Sequence, residues 1–427
     1  MRICVVGSGI SGLAAAWLLS SEHEVDVIER EPALGGHTKT VDVQAEGVSV
    51  ACDIGFMVFN HRTYPNLVRL FEHLGVPEQD ADMSFSVYSP KAHVIWRGDL
   101  RGIFADPRTF ARPAYWRMLA DIVRFSKSGE RLARSEALSD ATLGEVLERE
   151  GYGPGFRDWY IVPMAGSIWS MPRERVLQFP AQTMLRFFDN HGLIRITGKP
   201  QWKSVPGGAR RYVARLAGSI SGAVRTGTAV STIVRHDSHV EAILQTGERL
   251  TYDAVVLACH ADQALAILAD ADGDERRVLA AVPYQDNEVV LHADTSQMPP
   301  RKAAWAAWNH VVGGRSDAPV SVTYRLKVLQ RLGVRQEILV TLNPLAPVRS
   351  DAVFGRYFLA HPQFGPGSTV VREQLQQIQG RRRTWFAGAW TRYGFHEDGL
   401  VSGLAVAGAM GIKPPWGRIL TTQEGVS

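Results

Sequence analysis

Six residues near the N-terminus constrain this chain more than anything else in it: Gly7-Ser8-Gly9-Ile10-Ser11-Gly12. They follow a short apolar run of strand type, Ile3–Val6, and lead into Leu13–Leu19, which reads as a helix. A second strand at Val25–Ile28 ends on Glu29, 22 residues beyond Gly7. Each part has a physical role in holding a dinucleotide. Gly7 permits the tight turn out of the strand, Gly9 lets a pyrophosphate reach the backbone, and Gly12 lets the helix pack close to the sheet. The backbone at Ile10 and Ser11 opens the helix, whose first N–H groups and positive dipole end face the phosphates. Glu29 stands where an acid accepts ribose hydroxyl hydrogen bonds, and it disfavours a 2′-phosphate.

Composition narrows the class. The 427 residues are 45% hydrophobic and 21% charged, an ordinary globular balance in a chain long enough for two domains. A net charge of +4 is compatible with an anionic ligand or a weak preference for membrane surfaces, and is too small to argue for nucleic acid. Cys4, Cys52 and Cys259 are widely spaced and match neither a disulfide framework nor a zinc pattern. No metal site is expected, and scattered thiols suit a reducing cytoplasm. Arg2 leads straight into the first strand without a signal-peptide pattern. No apolar run reaches the ~20 residues needed to span a bilayer.

After Glu29 the chain reads Arg30-Glu31-Pro32-Ala33-Leu34-Gly35-Gly36-His37-Thr38. This resembles the extended fingerprint of the flavoprotein superfamily that holds amine oxidases, phytoene desaturases and protoporphyrinogen oxidases. The resemblance implies FAD, bound without a covalent tether, with Arg30 and residues 35–38 near the cofactor. His37 stands where many members carry arginine, which makes any charge there conditional on pH. Further matches follow along the chain. Asp53-Ile54-Gly55 is similar to the turn after the superfamily's short hairpin, with Gly55 at the cofactor. Val205-Pro206-Gly207-Gly208, followed by helical Tyr212–Leu216, is similar to its Pro-Gly-Gly segment. Val224–Val234 looks like one strand on the adenine side, including Val230, and Asp253–Ala258 like the strand that returns to the sheet. Trp385-Phe386-Ala387-Gly388 reads as a strand entering a glycine turn, and Asp398-Gly399-Leu400 as the start of a helix aimed at the flavin pyrimidine. A helix dipole there stabilises the charge that two-electron reduction places on the ring. One departure stands out: Ala389 replaces the acid the superfamily usually has after the glycine.

The resemblance implies a mixed α/β and α+β fold. A Rossmann-like FAD-binding domain of glutathione-reductase type is expected from 1–75, 203–270 and 380–415, interleaved with a substrate domain of mixed sheet and helices from 76–202 and 271–379. Residues 416–427 remain as a C-terminal tail.

Three stretches are candidates for the substrate side. Segment 104–128 mixes aromatic residues with arginines, and Tyr115, Leu119 and Ile122 follow helical spacing. It reads either as a surface helix with its apolar face in the core or as a contact with an anionic membrane. Phe156–Trp169 is apolar and almost uncharged, so Tyr160 and Trp169 either line a hydrophobic cavity or pack the core. The loop before the last helix carries Trp390, Tyr393, Phe395, His396, Glu397 and Asp398, and by the resemblance passes the flavin ring. His396 and Glu397 are candidates for orienting substrate or moving a proton; Asp398 could instead cap the helix, and Glu397 could be an ion-pair partner.

The wording Gly394-Phe395-His396-Glu397-Asp398-Gly399 looks like that of a bacterial subgroup linked with cyclopropane-synthase-like fatty-acyl methyltransferases. That resemblance implies hydride transfer between flavin N5 and a methylated acyl chain of a membrane lipid, as in a desaturase or dehydrogenase. Sequence physics alone gives only an apolar substrate. Amine oxidation, redox-neutral isomerisation, and a lipid-binding escort without flavin remain alternatives. Oxygen, a quinone or a redox partner protein all stay open as electron acceptor. No second glycine fingerprint for a nicotinamide is visible.

Overall fold

The computed structural model describes residues 1–135, 138, 141–313, 320–365 and 367–421. Its centre is a parallel sheet in the order Val224–Arg225, Glu24–Ile28, Arg2–Val6, Ala254–Leu257, Thr384–Phe386. The inner strands are buried on both faces, which is why they read as continuous apolar runs. Alternate residues serve opposite layers. Ile3, Val5, Val25 and Val27 face the helices Ile10–Leu19 and His396–Ala409. Cys4, Val6, Val255 and Leu257 face the other side. There a three-stranded antiparallel sheet of Val230–Arg235, Val240–Leu244 and Arg249–Tyr252 covers them, together with the helices Gly273–Leu279 and Gly367–Ile378.

A second sheet has seven strands in the order Val353–Pro362, Tyr284–His292, Leu339–Leu342, Ser321–Arg325, Trp308–Val311, Phe85–Ser89, Val94–Arg97. Both inserted segments supply it, joined where Trp308–Val311 pairs in parallel with Phe85–Ser89. A helical lobe packs on Val87, Val94 and Trp96. Phe59–Asn60, Trp202–Ser204 and Gln79–Ala81 form a small antiparallel sheet where the first insertion leaves and rejoins.

Four details depart from the sequence reading. Val224–Val234 is two strands: Val224–Arg225 ends the parallel sheet, Gly227 turns at a φ of +60°, and Val230 begins the antiparallel one. Segment 104–128 is not one helix. Pro107 and Pro113, which lack an N–H, each open a separate helix, and Pro113–Ala133 is the long one. Residues 273–279 and 367–378 pack against the parallel sheet although they lie inside 271–379. The tail docks rather than hangs: Leu420 exchanges hydrogen bonds with the Asn66 side chain (2.8 and 2.9 Å). Residues 422–427 lie outside the described residues.

Candidate functional site

The glycine turn has the shape its sequence predicts. Gly7 sits at a φ of +100°, and a Cβ there would come within 2.9 Å of the Ala258 carbonyl oxygen. At Gly12 a Cβ would overlap the Gly7 carbonyl. Gly9 differs: a Cβ would meet no protein atom within 4 Å, so its surface faces open space. Gly9 is also the N-cap of Ile10–Leu19, with no side chain bonded to the first amides. Gly36 (φ +55°) passes so close that its Cβ would lie 3.2 Å from Gly9 Cα, and Gly35 N–H donates to the Ser8 carbonyl (3.1 Å). Glu29 is buried, accepting from Ser8 N–H (2.8 Å), Ser8 Oγ (2.6 Å) and Glu31 N–H (2.8 Å). Oε1, which accepts only the Glu31 N–H, retains a lone pair for a ribose hydroxyl. Arg30 is exposed beside Glu31 (3.3 Å). Open space over Gly9, unsatisfied helix amides and a positioned acid fit the diphosphate and ribose of FAD.

The last helix, His396–Ala409, lies beside Ile10–Leu19 and runs in the same direction. Gly399 approaches Ile10 and Ser11, while Gly403 approaches Ser11 and Ala15. Glycine is required at Gly403 because a Cβ would overlap the Ser11 carbonyl. Both positive helix ends therefore face the same region. Gly388 N–H donates to Ser402 Oγ (2.9 Å), and Ser402 Oγ–H donates to the Gly399 carbonyl (2.7 Å), which ties the glycine turn to that helix. Leu400 is fully buried beneath.

Three distant segments meet here. Asp53 accepts from the Thr40 hydroxyl (2.5 Å) and Ala209 N–H (3.0 and 3.1 Å), fastening the Gly55 turn to the Pro-Gly-Gly segment; burial pushes its carboxyl up to about 6. A Cβ on Gly55 would overlap the His37 carbonyl. His396 stacks on Phe56 (3.7 Å between centroids, 10° between planes). Its Nε2 lies 2.7 Å from the Tyr212 hydroxyl, which lies 2.5 Å from Thr38 Oγ1. Burial, with His37 nearby, draws the His396 imidazole down to about 3, so it is neutral at pH 7. Two further histidines flank His37, with ring centroids at 5.7 Å (His260) and 5.6 Å (His361). His260 stacks on Tyr284 (4.4 Å), and His361 Nδ1 lies 2.9 Å from Ser170 Oγ. Burial draws both down to about 3.

Several expected roles change. His37 does not replace an arginine. Its imidazole is pulled down by burial, and its Nε2–H donates to the Ala360 carbonyl (3.1 Å), so a neutral ring has no second N–H for phosphate. Glu397 is engaged as the cap of a distant helix. Its oxygens accept Asn66 N–H (2.8 Å), Asn66 Nδ2 (2.7 Å) and Leu67 N–H (3.0 Å), capping helix Pro65–Leu74. Burial raises its carboxyl to about 7. Asp398 takes the capping role, accepting Phe395 N–H (3.0 Å) beside Arg392 (3.2 Å). Trp390 does not reach the substrate side: it is buried in the core under the parallel sheet, with Nε1–H on the Cys259 carbonyl (3.2 Å). Tyr160 packs between Phe156 and Trp96 in the helical lobe (5.2 and 5.9 Å), and Val230 lies half-buried against the antiparallel sheet's core.

Trp169 and Tyr393 do come together, lining a cleft with Phe179 and Phe364. Trp169 packs tilted against Phe187 (4.6 Å, 57° between planes), and Phe187 stacks on Phe395 (4.6 Å), the residue that caps the last helix. Tyr212, Phe56, Phe187, His260 and His361 were not singled out from the sequence. No spacing betrays them, because each reaches the site from a different element. One trio among the described residues could hold a metal ion, against expectation: His236, His239 and Glu241 in a surface hairpin, where Glu241 already pairs with Arg249 (3.2 Å). No helix of the described residues is long and apolar enough to cross a membrane.

A dinucleotide turn, a second helix end converging on it and an interleaved second sheet define an FAD-binding flavoprotein fold. The chain belongs to the flavin-containing amine oxidoreductase family, whose sequence model matches residues 10–296. It is 32% identical over 153 residues to a flavin-dependent monooxygenase, eupH, of Phoma sp., a match spanning 33% of this chain and 35% of that relative. Among solved structures it resembles putrescine oxidase with putrescine bound (TM-score 0.69, 14% identity, 96% of this chain and 99% of that one). It also resembles the CLA-producing fatty acid isomerase from P. acnes (TM-score 0.66, 14% identity, 94% and 96%).

Proposed function

We propose that this oxidoreductase transfers a hydride between a hydrophobic substrate, an acyl chain of a membrane lipid, and the flavin. The carrying observation is the wall beside the last helix. Trp169, Phe179 and Phe187 are buried there and pack with half-buried Phe395, so the surroundings are aromatic and uncharged, and the nearby acids are engaged in caps. Such surroundings suit a methylene chain and give a cation no carboxylate. Bound FAD supplies the hydride acceptor at N5. Around it, the residues of this chain hold and orient. Gly9 and Gly36 admit the diphosphate, Glu29 takes the ribose, and the ends of the two parallel helices face the region of developing charge. His396, neutral and fixed by Tyr212 and Phe56, serves at pH 7 as a positioned hydrogen-bonding group and not as a proton acceptor. Family membership favours a second reading, amine oxidation.

The two separate in one assay. Under anaerobic conditions phospholipid should bleach the flavin and a simple amine should not; the reverse pattern assigns the second reading.

A further inference from the structure

The helical lobe ends in a corner that faces outward. It is built from the short helices Leu100–Ile103 and Pro107–Phe110 and the first turns of Pro113–Ala133. Leu100 is 79% exposed, Phe104 55%, Trp116 46% and Phe110 39%. The rings form one patch: Phe104 lies 5.2 Å from Phe110, and Phe110 lies 4.6 Å from Trp116, whose Nε1–H donates to the Phe110 carbonyl (2.9 Å). Contiguous exposed aromatics of this kind mark a contact surface. The underside is anchored, with the Tyr115 hydroxyl on the Ile103 carbonyl (2.9 Å) and Ile95 N–H on Thr109 Oγ1 (3.0 Å).

Cations rim the patch. Between positions 100 and 119 stand Arg101, Arg108, Arg112 and Arg117, and the one acid there, Asp106, is buried as a helix cap. Helix Leu100–Ile103 packs against the turn Lys302–Ala304, which adds exposed Arg301 and Lys302 to the same corner. The long helix itself turns Tyr115, Met118 and Phe125 inward and beyond Trp116 exposes only Val123 among its large apolar residues, so the exposed rings gather at the corner.

We propose that this corner docks on an anionic bilayer surface. Leu100, Phe104, Phe110 and Trp116 enter the boundary between headgroups and acyl chains, and the arginines lie at the phosphates. Charge selects this occupant. A second copy meeting the same face would set arginines against arginines across a twofold axis. An anionic leaflet supplies the opposite sign. Docking does not depend on what the flavin oxidises.

The test is sedimentation of the flavin-bound protein with vesicles of phosphatidylcholine alone or mixed with phosphatidylglycerol. Binding should require the anionic lipid and weaken with salt. The double variant Phe104→Ser, Trp116→Ser alters only exposed side chains. It should keep its flavin spectrum and lose vesicle affinity about tenfold or more, as should Arg108→Glu, Arg112→Glu. Equal binding to neutral vesicles, or unchanged binding by both variants, overturns the proposal. So does a corner variant that turns a dimer into a monomer while vesicle binding stays the same.

Discussion

The Tyr212 hydroxyl lies 2.7 Å from Nε2 of His396 and 2.5 Å from the Thr38 hydroxyl, joining the Pro-Gly-Gly helix, the last helix and the Gly-Gly segment at one oxygen. Tyr212 thus orients the imidazole in the first turn of the last helix. Tyr212→Phe keeps the ring packing and removes the bond. It should retain FAD and slow flavin reduction by about tenfold, while His396→Asn should slow it by about 10². Stopped-flow reduction per bound flavin, measured across pH, checks both. A wild-type rate in both variants confines the pair to packing.

Gly9 and Gly12 separate binding from folding. A side chain at Gly9 meets no protein within 4 Å, so Gly9→Val should fold with the thermal midpoint of the flavin-free wild type and emerge without visible flavin absorbance. Gly12→Ala sets a methyl against the Gly7 carbonyl and should lose soluble, folded protein as well. Retained flavin in Gly9→Val would remove the diphosphate from this turn.

Glu397 should matter for stability and not for chemistry. Its carboxylate satisfies the first amides of helix Pro65–Leu74 and the Asn66 side chain. Glu397→Ala leaves those donors buried without a partner, a loss of about 2–4 kcal/mol in denaturant unfolding. Glu397→Gln keeps one acceptor and should reduce flavin at the native rate. A slow Glu397→Gln enzyme with full flavin would restore the residue to the mechanism.

The glycine turn, Glu29, the Gly-Gly segment and the last helix were legible because each is a local pattern: strand, turn, helix and acid lie within forty residues or within one helix start. Non-local partnerships were not. Glu397 faces Asn66 across 331 positions, and nothing near Glu397 in the chain distinguishes a cap for a distant helix from a free base. Trp390 shares its loop with Tyr393, yet the turn after Gly388 sends Trp390 under the sheet and leaves Tyr393 in the cleft. The helical spacing in 104–128 was real only beyond Pro113, and the two prolines that break it were the available signal.

Acid should destabilise the protein. Burial holds His260, His310, His361 and His396 down to about 3, and His191 and His292 to about 4, in the folded state. Unfolded, they bind protons below about 6.5. The stability from their neutral form is complete above that pH and is lost as pH falls towards the folded values. Asp53, Asp398 and Glu397, raised to about 6, 6 and 7, act in the opposite sense between their ordinary values and these, and are fewer. Denaturant midpoints should therefore fall from pH 7 to pH 5, and His361→Gln should flatten the slope. A midpoint that rises on acidification would show the buried carboxyls dominate.

The most direct test of the lipid reading is the visible flavin spectrum under anaerobic conditions as extracted membrane phospholipid is added, with a simple amine in a parallel cuvette. Bleaching by phospholipid alone is the expected result. Bleaching by the amine alone contradicts an acyl-chain substrate, and would mean that the aromatic wall of Trp169, Phe187 and Phe395 receives a neutral amine instead.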